Sequence, residues 1–317
     1  MQPVTTSQFS KLGDQVFDRF AKQFLSARRW RLMLEQPLAR EDFKQIRAAL
    51  LTYLAAALRS PQPLDEAAAL EQLLLQRDDL PAYTKGGMLA PTPEHTLEFN
   101  LLHRSVARSL ERFALTDFID GIDLPINVRV VYGAVDESRA TAPFSSSKLH
   151  SDVWAGVPAD AVVVVLPVLG DIDNLTIECC EMPPDRELHF MRPYDAYEQA
   201  QAEASPLQWY KEAAMQLGRW YMADVRLLHR TVRRRPEGVR VSIDFRLRYN
   251  DAAYRAMVPI PAGTGPDSLD TRIPYRQWLE VGTRQLLVFD ETLDTARATA
   301  SSSSPVNRAR YHLVSLQ

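Results

Sequence analysis

The sequence predicts an α+β chain in which a layer of helices packs on an antiparallel β-sandwich or barrel. Three observations carry this reading. Apolar residues recur at helical spacing through the first 120 residues, short alternating runs dominate from Ile126 to Tyr249, and Gly121-Ile122-Asp123-Leu124-Pro125 marks the change between them. The natural division is a helical region over 1–124 and a β core over 125–317, the latter with a helical insert near 194–216 and a C-terminal tail.

In chain order, Phe17, Phe20, Phe24 and Leu25 follow the 3.6 period, as do Ile46, Leu50, Leu51 and Leu54. Glu66 to Leu75 consists of good helix formers, and Pro61, Pro63, Pro81, Pro91 and Pro93 punctuate the helices. A further helix is expected from about Glu94 to Leu115. Beyond the change of character, Ile126–Tyr132 alternates as a strand. Lys148–Trp154 and the valine-rich Ala161–Val168 follow, with shorter candidates at Leu175–Cys180 and Glu187–Met191. Tyr194–Gln216 reads as a helical insert broken near Pro206, suited to lidding a barrel mouth or covering a sheet edge. Strands resume at Trp220–Val232 and Val239–Tyr249 around the turn Arg233–Gly238. Ser301–Ser304 with Pro305 reads as a polar linker before an edge strand or tail at Arg310–Leu316.

Composition narrows the function classes. A net charge of −3 and a pI near 6.1 leave no global footprint for nucleic acid, and the local Arg233–Arg235 cluster reads as a solvated turn. The longest apolar run, Ala161–Leu169, is interrupted by Pro167 and is too short to span a bilayer. The first residues lack the basic-then-apolar pattern of a secretory signal. Adjacent Cys179 and Cys180 are the only thiols, which excludes a disulfide framework and argues against a cysteine-rich zinc site. The expectation is therefore a cytoplasmic protein acting on a small molecule, with no nucleic-acid or membrane partner, as a monomer or homodimer.

His150-Ser151-Asp152, with His229 far downstream and Arg240 beyond it, is the pattern with the most chemistry. Residues two apart on a strand share a face, so His150 and Asp152 are expected to point together into a barrel, with His229 supplied by another strand. Two imidazoles and one carboxylate suit a facial triad on non-haem iron, with further positions left open. A His-x-Asp pair alone is weak in a chain holding 40 acidic residues, and satisfied structural histidines are the alternative. His189 is a rival ligand without a nearby arginine-bearing strand, and His95 and His103 sit on helices as packing or surface residues.

From Val239 to Arg248 the chain alternates throughout: Val239, Val241, Ile243, Phe245 and Leu247 on one side, Arg240, Ser242, Asp244, Arg246 and Arg248 on the other. The charged side faces solvent on an ordinary strand and lines the cavity in a ligand-holding barrel. A guanidinium beside a hydroxyl, as in Arg240 and Ser242, suits a carboxylate. Asp244 is expected to pair with Arg246. A phosphate cradle has no support, since Gly133 is isolated.

His150-x-Asp152, distal His229 and Arg240-x-Ser242, together with KLHSDVWAGVP and NVRVVYG, resemble the Fe(II)/2-oxoglutarate-dependent dioxygenases of the phytanoyl-CoA hydroxylase-like group, in a branch found in carbohydrate or aminoglycoside-type biosynthetic clusters. The resemblance covers about residues 125 to 250. It implies a double-stranded β-helix, the jelly-roll or cupin-like core, beneath the helical layer. It implies Fe(II) held by His150, Asp152 and His229, with 2-oxoglutarate and O2 as co-substrates. Arg240 and Ser242 would hold the far carboxylate, with Asn174 and Thr176 as further candidates for contact with the keto acid. Arg129, Trp154 and Arg246 are candidates for the substrate. The implied reaction is oxidation of a C–H bond in a small polar metabolite, coupled to conversion of 2-oxoglutarate to succinate and carbon dioxide. Hydroxylation is the default, with desaturation, ring closure or epimerisation as variants. The competing classes are a non-redox cupin-like isomerase or epimerase, and an inactive ligand-binding relative.

Overall fold

Two sheets face each other across a cavity, and helices cover the outer side of the larger one. The computed structural model describes residues 5–80, 87–134, 141–203, 208–210, 215–258, 272–289 and 311–316. The expected linker at Ser301–Ser304 lies outside them. Helix α1 (Thr6–Ala21) opens on a capping box, in which the Thr5 side chain accepts from Gln8 N and the Gln8 side chain accepts from Thr5 N. Its buried stripe is Phe9, Gly13, Val16, Phe17 and Phe20. Strands β1 (Arg28–Arg29) and β2 (Met33–Pro37) lead into helix α2 (Arg40–Ala57), which buries Ile46, Leu50, Tyr53 and Leu54. Asp65 caps helix α3 (Glu66–Leu75) by accepting from Ala68 N. After β3 (Met88–Leu89), the helix expected from Glu94 starts as a 3-10 turn over Pro93–His95 and becomes α4 (Thr96–Glu111).

The remaining strands are β4 (Ile119–Asp123), β5 (Asn127–Tyr132), β6 (Ala161–Gly170), β7 (Leu175–Glu181), β8 (Gln208–Tyr210), β9 (Arg219–Asp224), β10 (Leu227–Arg233), β11 (Val239–Tyr249), β12 (Arg272–Pro274), β13 (Gln285–Phe289) and β14 (Tyr311–Ser315). The main sheet runs β1-β2-β9-β6-β11-β4-β12. Strand β5 also pairs with β11, beyond the reach of β4, and β3 pairs with β5. The second sheet runs β10-β7-β8, and β13 pairs with β14. All these pairings are antiparallel.

Register explains how one strand serves two environments. On β11 and β6, Ile243 pairs with Leu166, Phe245 with Val164 and Leu247 with Val162, and all of these join the helices' buried side chains in one core. Their alternates, Asp244 opposite Val165 and Arg246 opposite Val163, belong to the inner face that lines the cavity. The alternation from Val239 to Arg248 thus separates core from cavity. Arg248 has left the cavity and pairs with Asp160.

Four segments depart from the sequence expectation. Lys148–Trp154 is not a strand: His150 forms a single bridge, and a 3-10 turn begins at Asp152. Glu187–Phe190 is a helical turn that packs beside α1: Phe190 turns its ring to Trp154, and buried Glu187 accepts from Arg31 and from Arg226 at the β9–β10 crossing. Trp220–Val232 splits at Val225-Arg226 into β9 and β10, which belong to different sheets. Among its described residues the insert contains a helix over Tyr197–Glu203, and Gln208–Tyr210 adds a strand to the second sheet; the expected break near Pro206 lies outside them. The short strands β1 to β3 carry no period-2 signal. Met33 to Gln36 are all buried, so β2 shows no alternation to read.

Candidate metal centre

His150 and His229, 79 positions apart, are joined by backbone first. His150 N donates to His229 O at 3.0 Å and His229 N donates to His150 O at 2.8 Å, an antiparallel bridge that fixes the two residues opposite each other. Their rings lie 4.3 Å apart between centroids. Asp152 reaches the same point by a bend. Ser151 caps the following 3-10 turn, accepting from Val153 N, while its hydroxyl donates to Val225 O at 2.6 Å. That bond ties the ligand-bearing segment to the crossing between β9 and β10. Asp152 Oδ1 then lies 3.7 Å from His150 Nε2 and 3.6 Å from His229 Nε2. One donor atom from each residue falls within 4.8 Å of the others, the sole such group of metal-ligating side chains among the described residues.

The chemistry of these donors fits a metal ion. His150 Nδ1 lies 2.8 Å from Lys148 O, and because a carbonyl only accepts, Nδ1 carries the proton and Nε2 keeps its lone pair. Burial, followed by the neighbouring His229, pushes the His150 imidazole down to about 3, so it is neutral at physiological pH. Burial opposes ionisation of Asp152, but Arg246 and the two imidazoles outweigh it and hold its carboxyl well below the usual range. A neutral imidazole and an ionised carboxylate are the states that ligate. Tyr197 stacks on the His150 ring at 4.4 Å and 10°, and Gln201 Nε2 donates to Leu149 O, so the helix of the insert presses on the ligand segment.

The cavity beside the triad measures about 120 Å³. Arg240, Ser242, Asp244 and Arg246 of β11 line it with Arg129 of β5, and Thr231 of β10 shares the face of His229. Arg240 is 1% exposed. Its Nη1 donates to Leu175 O at 2.6 Å and approaches Met215 Sδ at 3.7 Å, while its Nε has no partner, nor has the buried Ser242 hydroxyl. Burial, then the positive Arg129 and Arg233, pushes this guanidinium down to about 10, so it stays charged at neutral pH. No carboxylate pairs with it among the described residues. A buried, charged and under-satisfied guanidinium beside an under-satisfied hydroxyl is costly without an anionic ligand.

The other sequence candidates are placed differently. Asn174 is not at the cavity. Its amide donates to Arg235 O and Glu237 O and accepts from the N–H groups of Arg234 and Arg235, which spends it on the turn before β11. Thr176 is on the opposite side of β7 from the cavity-lining Ile177 and Cys179. Trp154 is wholly buried behind the site, where its indole donates to Phe190 O and its ring meets Tyr197. Asp244 pairs with Arg129 and Asn127, not with Arg246 as expected. Arg246 instead turns to Asp152. His189 lies outside the cavity, with Nε2 2.9 Å from Glu203 on the surface. Thr231 and Tyr197 were not singled out for this site by the sequence. The signal for Thr231 was its position two beyond His229 on a strand, whereas Tyr197 depends on tertiary packing alone.

No family model matches the chain, and no curated protein matches it. Among solved structures it is similar to the non-heme alpha ketoglutarate dependent epimerase SnoN from nogalamycin biosynthesis, at 13% identity and a TM-score of 0.39, over 79% of this chain and 91% of that one. A second SnoN structure, in complex with Fe3+, alpha ketoglutarate and nogalamycin RO, matches at 11% identity and a TM-score of 0.35, over 79% and 92%. AviO1 from Streptomyces viridochromogenes Tue57 matches at 16% identity and a TM-score of 0.36, over 70% and 90%. No described helix is long and apolar enough to cross a membrane.

Proposed function

We propose that this chain is an Fe(II)- and 2-oxoglutarate-dependent oxygenase that oxidises a C–H bond of a small metabolite, on a double-stranded β-helix formed by the two facing sheets. One observation carries the reading: the His150/Asp152/His229 donor set and the unpaired, buried Arg240 with Ser242 line one cavity. The triad alone fits several divalent metals. A buried cation awaiting a carboxylate is what selects a keto diacid as co-substrate.

Each residue then has a definite task. His150 Nε2, His229 Nε2 and Asp152 Oδ1 would hold the ferrous ion, a donor set of three that suits non-haem iron. When bound, that ion supplies the oxidising chemistry, consuming O2 and 2-oxoglutarate and releasing succinate and carbon dioxide. Arg240 neutralises the far carboxylate of 2-oxoglutarate, Ser242 donates its hydroxyl to it, and Thr231 offers a second hydroxyl from the facing sheet. Arg129 is held against Asp244, and these two form a polar wall, while Met33, Val163, Ile177, Tyr221 and Leu227 exclude water around the reacting carbon.

The test is uncoupled turnover. Purified protein given Fe(II), ascorbate, 2-oxoglutarate and air forms succinate slowly without any other substrate, and His150→Ala or Asp152→Ala abolishes it. Failure of the wild-type protein both to bind 2-oxoglutarate and to form succinate would contradict the reading.

A further inference from the structure

We infer that Arg246 is a positioning residue for the metal centre, which keeps Asp152 a one-oxygen ligand and so preserves an open coordination position. This rests on the oxygenase reading for the identity of the ion, but the geometry is independent of it. Arg246 Nε lies 2.9 Å and its Nη2 2.6 Å from the same atom, Asp152 Oδ2. Asp152 Oδ1 accepts no hydrogen bond among the described residues and faces both imidazole Nε2 atoms. The two oxygens of one carboxylate are thus assigned to different partners.

The assignment matters because a carboxylate left free beside a divalent ion readily turns both oxygens towards it. Two imidazoles and a two-oxygen carboxylate occupy four of six octahedral positions. A keto acid bound through two atoms then fills the rest and leaves no place for O2. With Oδ2 already accepting two charge-assisted hydrogen bonds, that rotation is opposed. Arginine suits the task because both donors belong to one planar fork, whereas an ammonium offers a single point of attachment.

The fold secures the arginine. Strand β11 is interior to the main sheet, and Arg246 sits opposite Val163 of β6, in the stretch of steady register that follows the shift between Val241 and Ser242. The nearest competitor for its charge, Asp244, is already taken by Arg129 and Asn127. The side chain is only 15% exposed, so little of it is offered to a substrate. Its alternation with Arg240 suggested a substrate contact, and the structure places its donors on Asp152.

The experiment counts water. Mn(II) is loaded under argon into the wild-type protein and into the Arg246→Met and Arg246→Lys variants, and the exchangeable waters on the ion are measured by water-proton relaxation. Affinity for 2-oxoglutarate and succinate formation with Fe(II) are measured alongside. Wild type is expected to carry about three exchangeable waters and Arg246→Met about two. Arg246→Met should bind 2-oxoglutarate within about threefold of wild type yet form succinate roughly a hundredfold more slowly. Arg246→Lys retains one donor to Oδ2 and should recover the third water and part of the rate. An unchanged water count in Arg246→Met overturns the inference. So does a loss of metal binding that Arg246→Lys fails to restore, since that marks a merely structural ion pair. If Arg246→Met does not fold, Arg246→Gln, which removes the charge and the fork, takes its place: a water count below that of wild type supports the role, and an unchanged count overturns it. Failure of wild type to bind Mn(II) and 2-oxoglutarate would instead sink the oxygenase reading.

Discussion

Two arginines with almost no solvent exposure, Arg226 and Arg240, have opposite surroundings. Arg226 stands at the crossing from β9 to β10 and is saturated. It donates to both oxygens of Asp224, to Asp14, to Glu187 and to Ser10 O. Tyr249 adds a hydroxyl to Asp224, and Gly13 of α1 approaches so closely that a Cβ there would lie 2.7 Å from the guanidinium carbon. Burial works against the charge, yet Asp224 and its other partners raise its pKa well above the ordinary value. Arg240 has one carbonyl, one thioether and an orphaned Nε, and its pKa falls. A buried arginine with all its acceptors holds the structure together. One without them holds a place for something else.

The comparison is broken most forcefully by removing each cation. Arg226→Met leaves Asp224 and Glu187 buried without their partner and is expected to cost about 3–5 kcal/mol in urea unfolding. Arg240→Met removes a cation that no carboxylate pairs with among the described residues, and it is expected to leave the ligand-free protein as stable as wild type or slightly more so. Equal losses in the two variants would show that Arg240 is structural too.

A buried group kept neutral makes a third case. His103 of α4 accepts from Trp278 Nε1 at 2.9 Å, and burial pushes it down to about 3. Its unfolded counterpart titrates near the ordinary histidine value, so at mildly acidic pH the unfolded chain binds more protons. This contribution is fully present above the unfolded pKa of about 6.5 and falls as pH drops towards the folded value, by up to about 1.4 kcal/mol per pH unit. His150 adds the same sign in the metal-free protein. His103→Leu should flatten the stability profile between about pH 6.5 and 5. An unchanged slope would mean that the acid response lies elsewhere.

Finer contrasts surround Arg240. Ser242→Ala is expected to weaken 2-oxoglutarate binding to the Mn(II)-loaded protein by about 0.5–1.5 kcal/mol, the worth of one hydrogen bond. Asn174→Ala, which loosens the turn before β11, is expected to leave that affinity unchanged. A larger effect from Asn174 than from Ser242 would reverse the placement of these two residues.

Much of this site was legible in the chain, for identifiable reasons. His150, Asp152, His229, Arg240 and Ser242 are chemically distinctive, and the alternation of β11 separates its core face from its polar face without any knowledge of neighbours. What could not be read depended on register or on packing. Placing Thr176 required knowing which parity of β7 faces inward, and the odd residues Ile177 and Cys179 do, while Asn174 precedes that strand and spends its amide on the turn before β11. The pairing of Asp244 with Arg129 rather than Arg246 follows from β5 lying beside β11, where Asn127 is opposite Asp244 and Arg129 is opposite Ser242. His150 and Asp152 converge through a bridge and a capped turn, not strand alternation. That route is invisible to a period-2 rule even though it ends at the expected place.

The most direct measurement is an anaerobic calorimetric titration of 2-oxoglutarate into Mn(II)-loaded protein, repeated without metal and with Arg240→Met. The account predicts one equivalent bound by the loaded wild type, little binding without the ion, and a loss of about 2–5 kcal/mol in the variant. Equal affinity in wild type and Arg240→Met, or binding indifferent to the metal, would contradict it.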